Sequence, residues 1–277
     1  MFLITGGSRG IGLAIVERLS NEGACIAILD KNEEALKAAT AALENTHGEI
    51  IPIPLDITQP HAIKQAIIQL TNKIDSIDAL INNVSSFCFK NTTNITAEEY
   101  DLMMATNGRG TFFMTQACLP YLKKAKNPHV INISPPLDIN AKWFKKHLAF
   151  TMSKYNMSMC TLGMAEELKG SIAINSIRPQ TTIATNTITK HFDTDVYAGS
   201  RKPTIMADAI AELLKYSFKE TTGNFYTDEQ ILKKAGIKDF KSYAVNPNIK
   251  LVQDLFLPDE YGSDSACIPL TDKLFLE

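Results

Sequence analysis

The sequence predicts an α/β protein built on a doubly wound parallel sheet with helices on both faces, in three αβα layers. Short β-rich runs alternate with longer helical patterns through most of the chain, and each parallel pair of strands needs a crossover of the kind those helices supply. A glycine-rich turn joins the first such run to the first helical pattern. The length of 277 residues, 45% apolar and 21% charged, suits one large domain better than two small ones.

The elements follow in order. FLIT (2–5) precedes the helical IGLAIVERLSNEG (11–23), CIAILD (25–30) precedes EEALKAATAALEN (33–45), and EIIPIPL (49–55) precedes HAIKQAIIQLTNKI (61–74). ALIN (79–82) leads to a long helical stretch from about 96 to 124, HVINIS (129–134) to another at 147–168, and IAINSI (172–177) is a sixth strand. The rhythm then breaks. RPQTTIATNTITKHFDTDVYAGSRKPT (178–204) is polar, threonine-rich and without a clear period, which predicts a long loop able to cover a site. A helix at about 206–218 and a strand in TGNFYTD (222–228) finish the sheet, so the domain is expected to span 1–228. The segment 229–277 holds one helical pattern, then turns at NPN and LPDEYGSDS, and reads as an extension packed on the domain or on a partner subunit.

Composition narrows the partners. A net charge of −2 and a pI near 6.2 offer no field for nucleic acid or an anionic membrane. The five cysteines form no Cys-x-x-Cys pair and sit mainly in apolar stretches, which reads as reduced thiols in a cytoplasmic protein. The five histidines are dispersed, so no metal site is expected. MFLIT is too short for a signal sequence, and no later run reaches a membrane-spanning length.

TGGSRGIG (5–12) carries the first chemistry. Its glycines allow a tight turn and let a pyrophosphate approach the backbone amides at the positive end of the following helix. A glycine turn also arises for geometry alone, but here a strand precedes it, a helix follows, and Asp30 closes the second strand 18 residues beyond Gly12. An acid at that place binds the adenosine ribose hydroxyls and repels a 2′-phosphate, which favours NAD. Arg9 and Lys31 would attract that phosphate, which keeps NADP open.

With LDI at 55–57, NNVSS at 82–86, NGRG at 107–110, Ser134 ending a strand, and Lys154, the chain resembles the short-chain dehydrogenase/reductase family from residue 1 to about 228. ISPPLDINAKWF (133–144), GMAEELKGSIAIN (163–175) and TGNFYTDEQILKKAGI (222–237) point to one branch within it. The resemblance implies a Rossmann-type fold and NAD(P)-dependent oxidation or reduction of a carbonyl or secondary alcohol, on an apolar small molecule, in a homodimer or homotetramer. It assigns cofactor contacts to Gly6, Ser8, Arg9, Gly10, Ile11 and Gly12, to Asp30, to Asp56 and Ile57 at the adenine, and to Asn82. Pro179, Thr181, Thr182 and Thr185 would face the nicotinamide, with Gln180 where glycine is usual. Ser134 would orient substrate, and Asn107 would anchor a water beside Lys154. The residues themselves allow plainer roles: Asp56 as the cap of a helix starting at 58–60, Asn82 as a turn residue and Ser134 as a strand terminator.

The family's motif is Tyr-x-x-x-Lys, with both residues on one helix face. There the lysine lowers the phenol's pKa and holds the ribose, while the phenol exchanges a proton with substrate. This chain has Phe150-Thr-Met-Ser-Lys154. Tyr155 lies five residues after Phe150, about 140° around a helix, and is expected to pack rather than to replace the phenol. Two readings stay open: an oxidoreductase working with Ser134, Lys154 and a water at Asn107, or a dinucleotide-binding sensor or assembly protein of impaired turnover. Lys154, taken alone, also suits a lysine snorkelling to water from a core helix.

Overall fold

Seven strands form one parallel sheet: β1 (Phe2–Thr5), β2 (Ile26–Asp30), β3 (Ile50–Pro54), β4 (Ala79–Asn82), β5 (His129–Asn132), β6 (Ala173–Arg178) and β7 (Phe225–Thr227). Their order in this computed structural model, which describes residues 1–72, 74–258 and 267–270, is β3-β2-β1-β4-β5-β6-β7. Strands β2, β4, β5 and β6 are buried along their whole length, as a sheet covered on both faces requires. The edge strand β3 is half exposed and carries Pro52 and Pro54, which an interior strand would not tolerate.

The crossovers are α1 (Gly10–Asn21), α2 (Glu33–Ala42), α3 (Pro60–Thr71), α4 (Ala97–Met103), α5 (Thr111–Leu122) and α6 (Leu148–Glu167). After β6 come α7 (Asn186–His191), α8 (Thr194–Ala198), α9 (Thr204–Leu213) and α10 (Asp228–Lys234). Alternation along the strands sends Ile4, Ile28, Ile81 and Ile131 into one core layer with Ile15 of α1 and Ile210 of α9. Their neighbours Leu3, Leu29, Leu80 and Val130 enter the other, with Ile63 of α3 and Met114 of α5. Because β1 lies between β2 and β4, the crossovers diverge there and open a crevice at the carboxyl ends of the strands.

Three expectations are revised. The stretch from 96 to 124 is not one α-helix: a π-helical segment, Met104–Gly110, separates α4 from α5. Its glycines permit close approach, since a Cβ at Gly108 would stand 2.8 Å from Asn156 Cβ and one at Gly110 2.9 Å from Ile57 Cδ1. The segment 178–204 is not a structureless loop, because Ile188, Phe192 and Val196 bury themselves with Val252 in a small apolar cluster that holds α7 and α8. The helix expected at about 206–218 runs from Thr204 to Leu213.

At residue 228 the chain continues without a linker. Thr227 forms a capping box with Gln230, so β7 runs straight into α10, whose Ile231 and Leu232 join the main core. The chain later returns over the sheet: Thr182 N–H donates to Val252 O at 2.9 Å and Asp254 N–H to Gln180 O at 3.3 Å. There β8 (Val252–Gln253) pairs with β9 (Ile268–Pro269). Most of the turn expected in LPDEYGSDS lies outside the described residues. Among the described residues no helix is long and apolar enough to cross a membrane.

Candidate functional site

The crevice between β1 and β4 is floored by the glycine turn. Gly6 and Gly10 have φ of 65° and 57°, which admit no ordinary side chain without strain, and a Cβ at Gly12 would stand 2.1 Å from Gly6 O. The first turn of α1 holds no acid and its N-cap, the exposed Arg9, makes no side-chain cap, so the positive helix end is left for an anion. Ile11 lies in that turn, packed against the main core. Ser8 Oγ donates to Asp30 Oδ2, which fixes the carboxylate beside the turn, while Lys31 is exposed.

Asp56 Oδ1 accepts from Thr58 N–H at 2.9 Å, leaving Gln59 as the uncapped N-cap of α3. Ile57 is buried beneath Gly110. Asn82 turns its amide into the sheet, to Asn132 Oδ1 at 2.8 Å and Thr115 Oγ1 at 3.2 Å. The next residue is the one that faces the cradle: Asn83 Nδ2 donates to Thr5 O at 2.9 Å and Gly6 O at 3.1 Å. Asn83 was legible only as part of the NNVSS motif, since successive strand residues face opposite ways and the sequence does not say which faces the turn.

Lys154 does not snorkel. It is 2% exposed, and its Nζ donates to Ile133 O at 2.9 Å and Ser85 Oγ at 3.4 Å. Burial, and then the Arg178 guanidinium, push its pKa down to about 7, opposed by the Asp254 carboxylate. Phe150, on the same helix, is 1% exposed and packs on Phe87 and Phe89 at ring separations of 5.5 and 4.8 Å. Tyr155 packs as expected. Its hydroxyl donates to Asp138 O at 2.6 Å, and burial raises the phenol to about 12.

Asn107 is locked in the π segment. Its side chain accepts from Ser86 N–H at 2.7 Å and donates to Ser86 O at 3.0 Å and Ser153 Oγ at 2.8 Å, so it and Lys154 brace the same 85–86 segment. Ser134 is fully buried and its hydroxyl lies 2.8 Å from Ser176 Oγ. Ser176 gives its own proton to Ser134 O, so the Ser134 proton is committed to Ser176. Beyond β6, Pro179 is followed by Gln180, whose N–H is held by Asp228 Oδ1 at 2.9 Å. Thr182 Oγ1 pairs with Ser200 Oγ, whereas Thr181 Oγ1 is buried without a partner among the described residues. Thr185 reaches the glycine turn, where a Cβ on Gly10 would meet its Cγ2 at 3.3 Å.

A parallel sheet with its switch point at a glycine turn, an acid ending β2 and a lysine on the sixth helix define a dinucleotide-binding oxidoreductase fold. The chain belongs to the short-chain dehydrogenase family, whose model matches residues 1–195. It is 42% identical over 265 residues to hydroxysteroid dehydrogenase-like protein 2 of Homo sapiens, covering 93% of this chain and 63% of that protein. The same protein of Xenopus laevis is 41% identical over 263 residues, covering 92% of this chain and 63% of its own length. The chain therefore spans about three fifths of the curated relatives it matches. A crystal structure of a putative dehydrogenase from Xanthomonas campestris superposes with a TM-score of 0.88 at 37% identity, covering 93% of this chain and 97% of that one.

Proposed function

We propose that the chain is an NAD-dependent oxidoreductase acting on an apolar carbonyl or secondary alcohol, with Phe150 where the family carries its tyrosine. The observation that supports it best is the cradle: a glycine turn with positive φ at Gly6 and Gly10, a helix end without a side-chain cap, Asp30 held by Ser8, and a buried Thr181 hydroxyl with no partner among the described residues. The dinucleotide, when bound, supplies or takes the hydride. Gly6, Gly10, Ile11 and Gly12 would hold its pyrophosphate, Asp30 the adenosine ribose, Asp56 and Ile57 the adenine, and Thr181 and Thr185 the nicotinamide side. Lys154, buried beside Ser85, would hold the second ribose and, with a pKa near neutrality, carry a proton in the absence of the phenol. Asp30 favours NAD; the exposed Arg9 and Lys31 mark the route by which NADP would be accepted instead.

A dinucleotide sensor or assembly protein is favoured by one observation: Phe150 is sealed under Phe256, whose ring lies 5.8 Å away. Titration of NAD, followed by a carbonyl screen of the native chain beside Phe150→Tyr, separates the two. The variant restores a donor and should reduce carbonyls roughly 10²-fold faster. Activity confined to the variant favours the sensor, activity of both the oxidoreductase, and absence of dinucleotide binding overturns both. Assembly as a homodimer or homotetramer is supported by α5 and α6, where Phe112, Met159 and Leu162 are 42, 57 and 52% exposed. A monomer by light scattering at micromolar concentration would contradict it.

A further inference from the structure

A buried guanidinium and a buried lysine lie at the carboxyl end of the sheet, and among the described residues the guanidinium pairs with one carboxylate, Asp254 of the chain's own tail. Arg178, ending β6, is 7% exposed; its Nη2 lies 2.9 Å from Asp254 Oδ2, while its Nε–H is buried with no partner among the described residues. Among the described residues Lys154 donates only to neutral groups, the Ser85 hydroxyl, the Ile133 carbonyl and the Met157 sulfur. Two residues beyond Asp254, Phe256 is fully buried against Phe150, Trp143, His147 and Tyr155, with the Arg178 guanidinium 5.6 Å from its ring centre. Its φ of 65° is a conformation that a bulky side chain adopts only when its surroundings hold it there.

The tail thus presents a carboxylate to the cations and an aromatic ring to the apolar space above Phe150. We propose that this site takes an apolar monocarboxylate, whose carboxylate binds Arg178 and whose hydrocarbon or aryl body replaces the Phe256 ring, with Asp254 and Phe256 as its intramolecular stand-in. A neutral ligand that displaced the tail would strand Arg178 without a counter-charge in a dry site, whereas an anion restores the balance and offers an acceptor to the orphaned Nε–H. The inference rests on the oxidoreductase reading in one respect: that reading makes the substrate an apolar keto or hydroxy acid, although binding itself needs no turnover.

Trp143 is the chain's one tryptophan and lies 5.8 Å from the Phe256 ring, so its emission reports displacement of the tail. The full-length chain is titrated with 3-phenylpropanoate and with 3-phenylpropanamide, which differ in charge and little in shape. The acid should bind at least about 10-fold more tightly than the amide, a preference expected of a charge-assisted contact. Asp254→Asn, which removes the competitor that either ligand must displace, should tighten both ligands by a similar factor and keep the preference. Arg178→Gln should erase the preference. Phe256→Ala, which leaves the ion pair in place, should tighten both ligands and keep it. Equal affinities for acid and amide in the native chain and in Asp254→Asn, or no binding by either protein, would overturn the inference. NADH titration of the same samples checks the fold and judges the other reading separately. NADH binding without acid preference sinks this inference alone, and acid preference without NADH binding sinks the oxidoreductase reading alone.

Discussion

The glycine-turn side of the crevice, Gly6 to Asp30, and the aromatic side, Phe150 to Phe256, are held together by different means. The first is a backbone device: two glycines of positive φ, a third packed under a carbonyl, and a helix end whose N-cap side chain makes no capping bond. The second is a device of side chains, in which five aromatic rings, a buried lysine and an arginine–carboxylate pair are drawn from α6, β6, the segment after β4 and the tail. A backbone device depends on few residue identities and survives substitution elsewhere. A side-chain device changes its chemistry with one substitution, and here Phe256 packs on Phe150.

The hardest test of this contrast is Gly12→Ala. Its Cβ would collide with Gly6 O at 2.1 Å and Asn83 Nδ2 at 2.7 Å. It should destabilise the fold by at least about 3 kcal/mol, seen in urea unfolding, and should abolish dinucleotide binding. If it binds NADH normally, the cradle is not the site.

Next comes Lys154→Met. The folded ammonium titrates at about 7 against an ordinary 10.5, so between those values the unfolded chain holds more protons and native stability rises with pH. Below pH 7 the burial penalty is present in full. The variant should therefore be more stable than the native protein at pH 6.5, and the difference should shrink by pH 10. It should also bind the dinucleotide roughly 10-fold more weakly, the expected loss of one charged contact. A parallel pair of stability profiles would show that the lysine's charge is not suppressed.

Asp30→Ser sharpens the dinucleotide side. With the carboxylate gone, the exposed Arg9 and Lys31 act unopposed, and relative affinity for NADP should rise about 10-fold in calorimetry. An unchanged ratio would mean that the acid does not face the ribose. The smallest effect belongs to Tyr155→Phe, which removes the bond to Asp138 O and should cost about 1 kcal/mol. Its thermal midpoint should fall by roughly 2–4 °C with NADH affinity unchanged. A loss of NADH affinity would instead give Tyr155 a part in the site.

The strands and the cradle were legible because their signals are local. Alternating runs, a Gly-rich turn and an acid at the end of the second strand each sit within one element. A π segment leaves hydrophobic spacing almost intact, so the sequence from 96 to 124 shows one helical pattern; only the approach of Asn156 and Ile57 shows why Gly108 and Gly110 are there. Asn82 and Ser134 illustrate a different limit. Their motif places them at strand ends, but which way each side chain turns follows from the register with neighbouring strands, and the structure sends Asn82 to Asn132 and Ser134 to Ser176.

By itself the sequence determined the doubly wound sheet, the glycine turn with Asp30, and a helix bearing Phe150 and Lys154 at the spacing of one turn. Those follow from periodicity and from glycine's freedom, which act over a few residues. Only the tertiary structure decided that Lys154 is dry, that Arg178 stands near enough to depress it, and that Asp254 and Phe256, about a hundred residues further on, close the site. Desolvation and Coulomb interaction depend on distance through space, and the chain brings those residues together only by folding.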